Sequence, residues 1–250
     1  MKTAAAICLV ILIALSLPAC GSENGKDLSS QSVPASSSSG PVMAESEESS
    51  EKEKSDGDSS LKVAGNTEIL VAYFSYGENA ALPAGVDATT TASIQTVNGE
   101  LTGNTGAVAH MIAESTGADL FSIQTVEKYP DTYDATMEQG QEEKNTKARP
   151  ALASLPEGLD SYQVIFLGYP NWWGDMPMAL YSFLDQVDLS GKTIIPFVTS
   201  GGSEFSGTID AIQKLEPDAS VQEGLSIRDT DAASAQEQVE EWLLEAGIVE

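Results

Sequence analysis

The chain has 250 residues and a formal net charge of −26, from 38 acidic and 12 basic residues. The imbalance persists from Asn66 onward, where 29 acids face 7 bases, and such a field repels nucleic acid, so DNA and RNA binding is excluded and a basic protein partner is favoured. The two cysteines, Cys8 and Cys20, precede this part, so it holds no disulfide framework, zinc site or thiol pair, and redox chemistry there requires a bound cofactor.

Lys2 is a minimal positive start, and Ala4 to Leu17 is an apolar run too short for a comfortable membrane span. The run ends in Leu17-Pro18-Ala19-Cys20, which resembles the lipobox of bacterial lipoproteins. That resemblance implies a signal peptide over 1–20, a mature chain beginning at Cys20, lipidation of the Cys20 thiol, and an extracytoplasmic protein held on the cell membrane. Residues 21–65 are dominated by Ser, Glu, Lys and Gly and cannot repay the entropy of ordering, so they read as a flexible tether. The foldable domain is then 66–250.

Ile69 to Phe74 (ILVAYF) is a continuous apolar run, as buried parallel strands show. Thr105 to Thr116 carries Val108, Met111 and Ile112 at helical spacing, with Gly117 as a C-cap. A strand follows over Leu120 to Val126 and a polar, exposed helix over Thr132 to Lys147. Val164 to Tyr169 is the strongest strand signal, and Pro177 to Gln186 is a short helix with Pro177 in its first turn. Thr193 to Val198 is a strand, Glu204 to Leu215 a helix, Val221 to Ile227 a weaker strand, and Ala235 to Ala246 the last helix. Five strands alternating with five helices predict an α/β, doubly wound fold: a five-stranded parallel sheet with helices on both faces. Ligands of such sheets bind outside the carboxyl ends of the strands, near the switch point.

Three loops leave those ends with unusual compositions. Thr102-Gly103-Asn104-Thr105 directly precedes the first helix, where small residues, hydroxyls and the helix N-terminus can bind a phosphate without Arg or Lys. Tyr169-Pro170-Asn171-Trp172-Trp173-Gly174 sets two tryptophans among turn formers. They cannot both pack inward, so one is expected flat at the mouth of a site, where an indole suits stacking on an aromatic ligand. Thr199-Ser200-Gly201-Gly202-Ser203 lets the backbone approach a planar ligand edge.

Together these loops make residues 67–248 resemble the flavodoxin family, in particular the branch with Tyr-Phe-Ser, Gly-Asn-Thr, Pro-x-Trp-Trp-Gly and Thr-Ser-Gly-Gly motifs. The resemblance implies an FMN cofactor. Ser75, Thr102, Gly103, Asn104 and Thr105 would hold its phosphate. Pro170, Asn171, Trp172, Trp173 and Gly174 would line one side of the isoalloxazine ring, and Ser200, Gly201, Gly202 and Ser203 its other edge. One departure stands out: 26 residues, Tyr76 to Leu101, separate Ser75 from Thr102. Within them Gly77-Glu78-Asn79 imitates the phosphate motif, but no helical pattern follows, and Glu78 would repel phosphate.

The leading expectation is an FMN electron-transfer protein with a redox partner protein. The alternatives are an NAD(P)H-dependent flavin or quinone reductase, and a lipoprotein module of the same fold without flavin. No Gly-x-Ser-x-Gly elbow exists, and His110, the one histidine, reads as a plain helix residue.

Overall fold

The computed structural model describes residues 68–82 and 94–250. The expected signal segment 1–20 with Cys20, the expected tether 21–65 and residues 83–93 of the insertion lie outside them.

The chain runs β1 (Ile69–Tyr73), α1 (Tyr76–Asn79), β2 (Ile94–Val97), β3 (Glu100–Gly103), α2 (Asn104–Thr116), β4 (Asp119–Ser122), α3 (Tyr133–Thr146), β5 (Val164–Pro170), α4 (Met178–Leu184), β6 (Thr193–Ser200), α5 (Thr208–Leu215), β7 (Ser220–Val221), β8 (Leu225–Arg228) and α6 (Gln236–Glu245). The main sheet is parallel, in the order β4-β1-β5-β6, with β7 and β8 both on the outer side of β6.

The continuous apolar strands bury both faces. Leu70, Ala72, Phe74, Ile165, Leu167 and Ile194 pack with Leu180 and Phe183 of α4 and Ile212 of α5. Ile69, Val71, Tyr73, Phe166 and Ile195 pack on the opposite face with Val108 and Ile112 of α2 and Val239 and Leu243 of α6. Each fully buried large aliphatic or aromatic side chain contributes about 1.5–3 kcal/mol.

Four features depart from the expected elements, the first being that the strand expected over Leu120 to Val126 already ends at Ser122. The fifth strand is split: β7 pairs with Thr193 and Ile194, β8 pairs with Phe197 to Ser200, and the break lies opposite Pro196. Proline has no N–H to offer the ladder, so pairing lapses there. The expected helix at Glu204 begins only at Thr208, because Glu204 and Ser206 have φ of 49° and 52°. The insertion carries structure of its own, the single turn α1 and the antiparallel hairpin β2–β3. That hairpin turns at Asn98-Gly99, both at positive φ, as a two-residue connection requires.

Candidate functional site

β1 lies between β4 and β5, and the chain visits β4 on one side before crossing to β5 on the other. The switch point is therefore at the carboxyl ends of β1 and β5, with the end of β6 beside it. Ser75, the 102–105 segment, the 170–174 segment and the 199–203 segment all meet at this end.

The insertion does not separate Ser75 from Thr102 in space. The Thr102 and Ser75 hydroxyl oxygens lie 3.5 Å apart, and both residues are buried. Closure requires glycine at position 77, where a Cβ would overlap the Thr102 carbonyl oxygen. Asn79, fully buried, braces this corner: its Nδ2 donates to the carbonyls of Ser75 and Ile123, and its Oδ1 accepts from the Thr125 N–H.

Thr102 and Gly103 end β3, and Asn104 opens α2. Gly103 is the N-cap and makes no side-chain cap, and the first turn holds no acidic residue. The first N–H groups of a helix lack partners within it, so this end presents donors and the positive end of a dipole. Asn104 is held at both ends of its amide: Nδ2 donates to the Asp229 carbonyl at 3.1 Å, and Oδ1 accepts from Gln95 Nε2 at 2.8 Å. The Thr105 and Thr199 hydroxyls lie 2.7 Å apart, joining this loop to the end of β6. Glu78 directs its carboxylate to hydroxyls: Tyr73 donates at 3.0 Å, and Thr102 and Ser122 donate as well. Burial first, and the Glu78 carboxylate second, push the Tyr73 phenol far up, so it stays a donor.

The two tryptophans part company. Trp172, partly buried, packs against the core edge-on to Phe74 and Tyr129, with ring centroids at 5.5 and 5.3 Å, beneath Gly140 of α3. Trp173 is 43% exposed, with its indole N–H donated to the Met137 carbonyl of α3. Trp172 and Asp175 exchange backbone hydrogen bonds across Trp173 and Gly174, whose φ are 58° and 73°. Two central residues at positive φ are the pattern of a type I′ turn.

Pro170 is buried at the end of β5, and the Asn171 N–H donates to the Thr199 carbonyl at 2.9 Å. Ser200 is buried, and its hydroxyl accepts from the N–H groups of Gly202 and Glu204, while Gly201, Gly202 and Ser203 are exposed. Two non-glycine residues at positive φ, Glu204 and Ser206, follow closely. Each costs on the order of 1–3 kcal/mol, and such strain gathers at ligand clamps.

Sequence reasoning passed over Asn79, Asp229 and Arg228. The Arg228 guanidinium lies within 4 Å of where a Cβ on Gly202 would stand. Asn79 carried a weak signal as part of Gly77-Glu78-Asn79; the other two carried none, because their partners lie far away in sequence.

The flavodoxin family profile matches residues 94–246. The chain belongs to the flavodoxin family. Among solved structures it is similar to a protein of Bacteroides eggerthii classed as a flavoprotein, at 29% identity and a TM-score of 0.54, covering 72% of this chain and 98% of that one. A protein of Bacteroides uniformis, classed likewise, is 27% identical with a TM-score of 0.54, over 71% and 98%. A Lactobacillus acidophilus flavoprotein, solved in complex with FMN, is 19% identical with a TM-score of 0.49, over 70% and 98%. No curated protein matches. Flavodoxin membership accords with the sheet order: with the hairpin set aside, the strands lie 2-1-3-4-5.

Proposed function

We propose that this flavodoxin binds FMN and carries electrons at the outer side of a cell membrane, tethered through Cys20. The observation that carries the FMN reading is the meeting of an uncapped α2 N-terminus with two further loops at the switch point. The residues fit the cofactor with one exception: the Glu78 carboxylate, which accepts from the Thr102 hydroxyl beside the first turn of α2, has to turn away for a phosphate to enter. Small side chains at Gly103 to Thr105 and the first N–H groups of α2 suit a phosphate, and no bulky side chain stands among Ser200 to Ser203 to block the edge of a planar ring.

In this reading Ser75, Thr102, Gly103, Asn104 and Thr105 would hold the phosphate. Pro170 to Gly174 would flank one side of the ring, with exposed Trp173 rather than core-packed Trp172 as the stacking indole. Ser200 to Ser203 would face its other edge through backbone groups. FMN when bound supplies the electron chemistry, and the protein supplies orientation, stacking and a negative field that tunes it. No protein acid or base is needed. The acidic surface would steer a basic redox partner protein onto the site, and the lipid anchor would keep both at the membrane.

The test is a titration of the purified protein with FMN. Strong quenching of flavin fluorescence at one site, with a protein-dependent spectral shift, is expected. Unchanged fluorescence and spectrum would overturn the cofactor assignment and favour the flavin-free module.

A further inference from the structure

The second and third loops are joined through one side chain. The Asn171 carboxamide donates from Nδ2 to the Glu204 carbonyl at 2.7 Å and to Ser206 Oγ at 3.0 Å, and its Oδ1 accepts from the Gly174 N–H at 2.9 Å. The recipients are not ordinary backbone. Glu204 and Ser206 carry positive φ, and so do Trp173 and Gly174. One amide thus bridges two segments that each carry a non-glycine residue at positive φ, Trp173 on one side and Glu204 and Ser206 on the other. The Trp173–Gly174 peptide is gripped at its other end too, since the Trp173 carbonyl accepts from Lys144 Nζ of α3 at 2.6 Å. Lys144 also lies 3.7 Å from Asp175 at the close of the same turn.

We propose that Asn171 is the positioning residue of the flavin slot. It ties the 170–175 turn to the 199–206 loop and, with Lys144, fixes the Trp173–Gly174 peptide, so the slot stands formed before a ligand enters. Both donors and the acceptor of its side chain are committed to the loops, which leaves it no donor for the flavin. Its effect on binding is therefore preorganisation: a slot already ordered does not charge the ligand for ordering it. This inference rests on the FMN reading above, but the loop coupling it describes exists without ligand.

The experiment compares the parent protein with Asn171→Ala, Asn171→Asp and Lys144→Met. Hydrogen exchange is measured without flavin, then FMN affinity and the midpoint potential of bound flavin. Asn171→Ala should speed exchange at the Gly174 amide, weaken FMN on the order of tenfold and move the potential. Asn171→Asp keeps the acceptor but loses both donors, so Gly174 should stay protected while FMN still weakens. Lys144→Met should loosen the turn with a smaller loss of affinity. Loss of fold in the alanine variant would leave the aspartate variant to decide. Gly174 exchange, affinity and potential all within twofold of the parent would overturn the proposal. A parent that takes no FMN would sink the function reading alone; the clamp would then stand or fall on Gly174 exchange.

Discussion

The hydroxyls of Thr105 and Thr199, 94 residues apart, lie 2.7 Å from each other at the carboxyl edge of the sheet. Both residues are buried, so the pair fixes the α2 N-terminus against the end of β6 with little access for water. Thr105→Val keeps the shape and removes one hydroxyl. It leaves Thr199 without its partner, which costs about 1–2 kcal/mol. A urea unfolding midpoint lowered accordingly, with weaker FMN binding in titration, is the expected outcome. A variant equal to the parent in both would show that the two loops are held by other contacts.

The two tryptophans should answer differently to truncation. Trp172→Ala opens a hole among Phe74, Tyr129 and Gly140 and should cost about 3–5 kcal/mol of stability. Trp173→Ala removes an exposed ring and one hydrogen bond, so stability should fall by about 1 kcal/mol while FMN binding weakens. Thermal unfolding and flavin titration of both variants separate the roles. Equal FMN loss with equal destabilisation would argue against Trp173 as the stacking indole.

Glu216, at the end of α5 away from the three loops, is buried close to Asp188 and Asp185. Burial first, and those carboxylates second, push its carboxyl up to about 7. The folded state therefore binds this proton more tightly than the unfolded state does. Its stabilising contribution is complete below about pH 4.5 and is lost as pH rises to about 7. Allowing for solvent screening, Glu216→Gln should raise stability at pH 8 by about 1–2 kcal/mol and change little at pH 4. Urea midpoints of parent and variant at the two values check the sign, and equal gains at both would refute it.

Gly77 permits α1 to lie against β3, since any Cβ there overlaps the Thr102 carbonyl. Gly77→Ala should push Thr102 away from Ser75 and weaken FMN more than it weakens the fold. Binding measured beside thermal stability tests this. Full FMN affinity in the variant would mean that the two hydroxyls need not meet.

On the proposed anchoring through Cys20, Cys20→Ser should release the protein from the membrane or block its maturation. Stable anchoring takes more than one acyl chain, and the modified cysteine is where a lipoprotein carries them. Membrane retention unchanged in cell fractionation would point to another anchor.

Much of the scaffold was legible in the chain itself. Runs such as ILVAYF and VIFLGY, short and rich in β-branched and aromatic residues, read as strands buried on both faces, and their alternation with helical stretches implies a parallel sheet. The three loops could be named because turn formers, glycines and paired tryptophans interrupt that apolar pattern at the strand ends. The insertion's hairpin went unread although Asn98-Gly99 suits its turn, because the strands beside it are short and half exposed and their pattern is faint. What local pattern cannot express is a partner distant in sequence. That Ser75 and Thr102 meet across 26 inserted residues depends on Gly77 packing on a carbonyl. That Trp172 turns inward and Trp173 outward depends on α3 lying over the first and receiving the indole N–H of the second. Asn171 reads in sequence as a loop polar residue; only folding brings Glu204 and Ser206 within reach of its amide. Hydrophobic periodicity is a property of neighbours along the chain, whereas hydrogen bonds between loops are set by where a packed sheet delivers its ends.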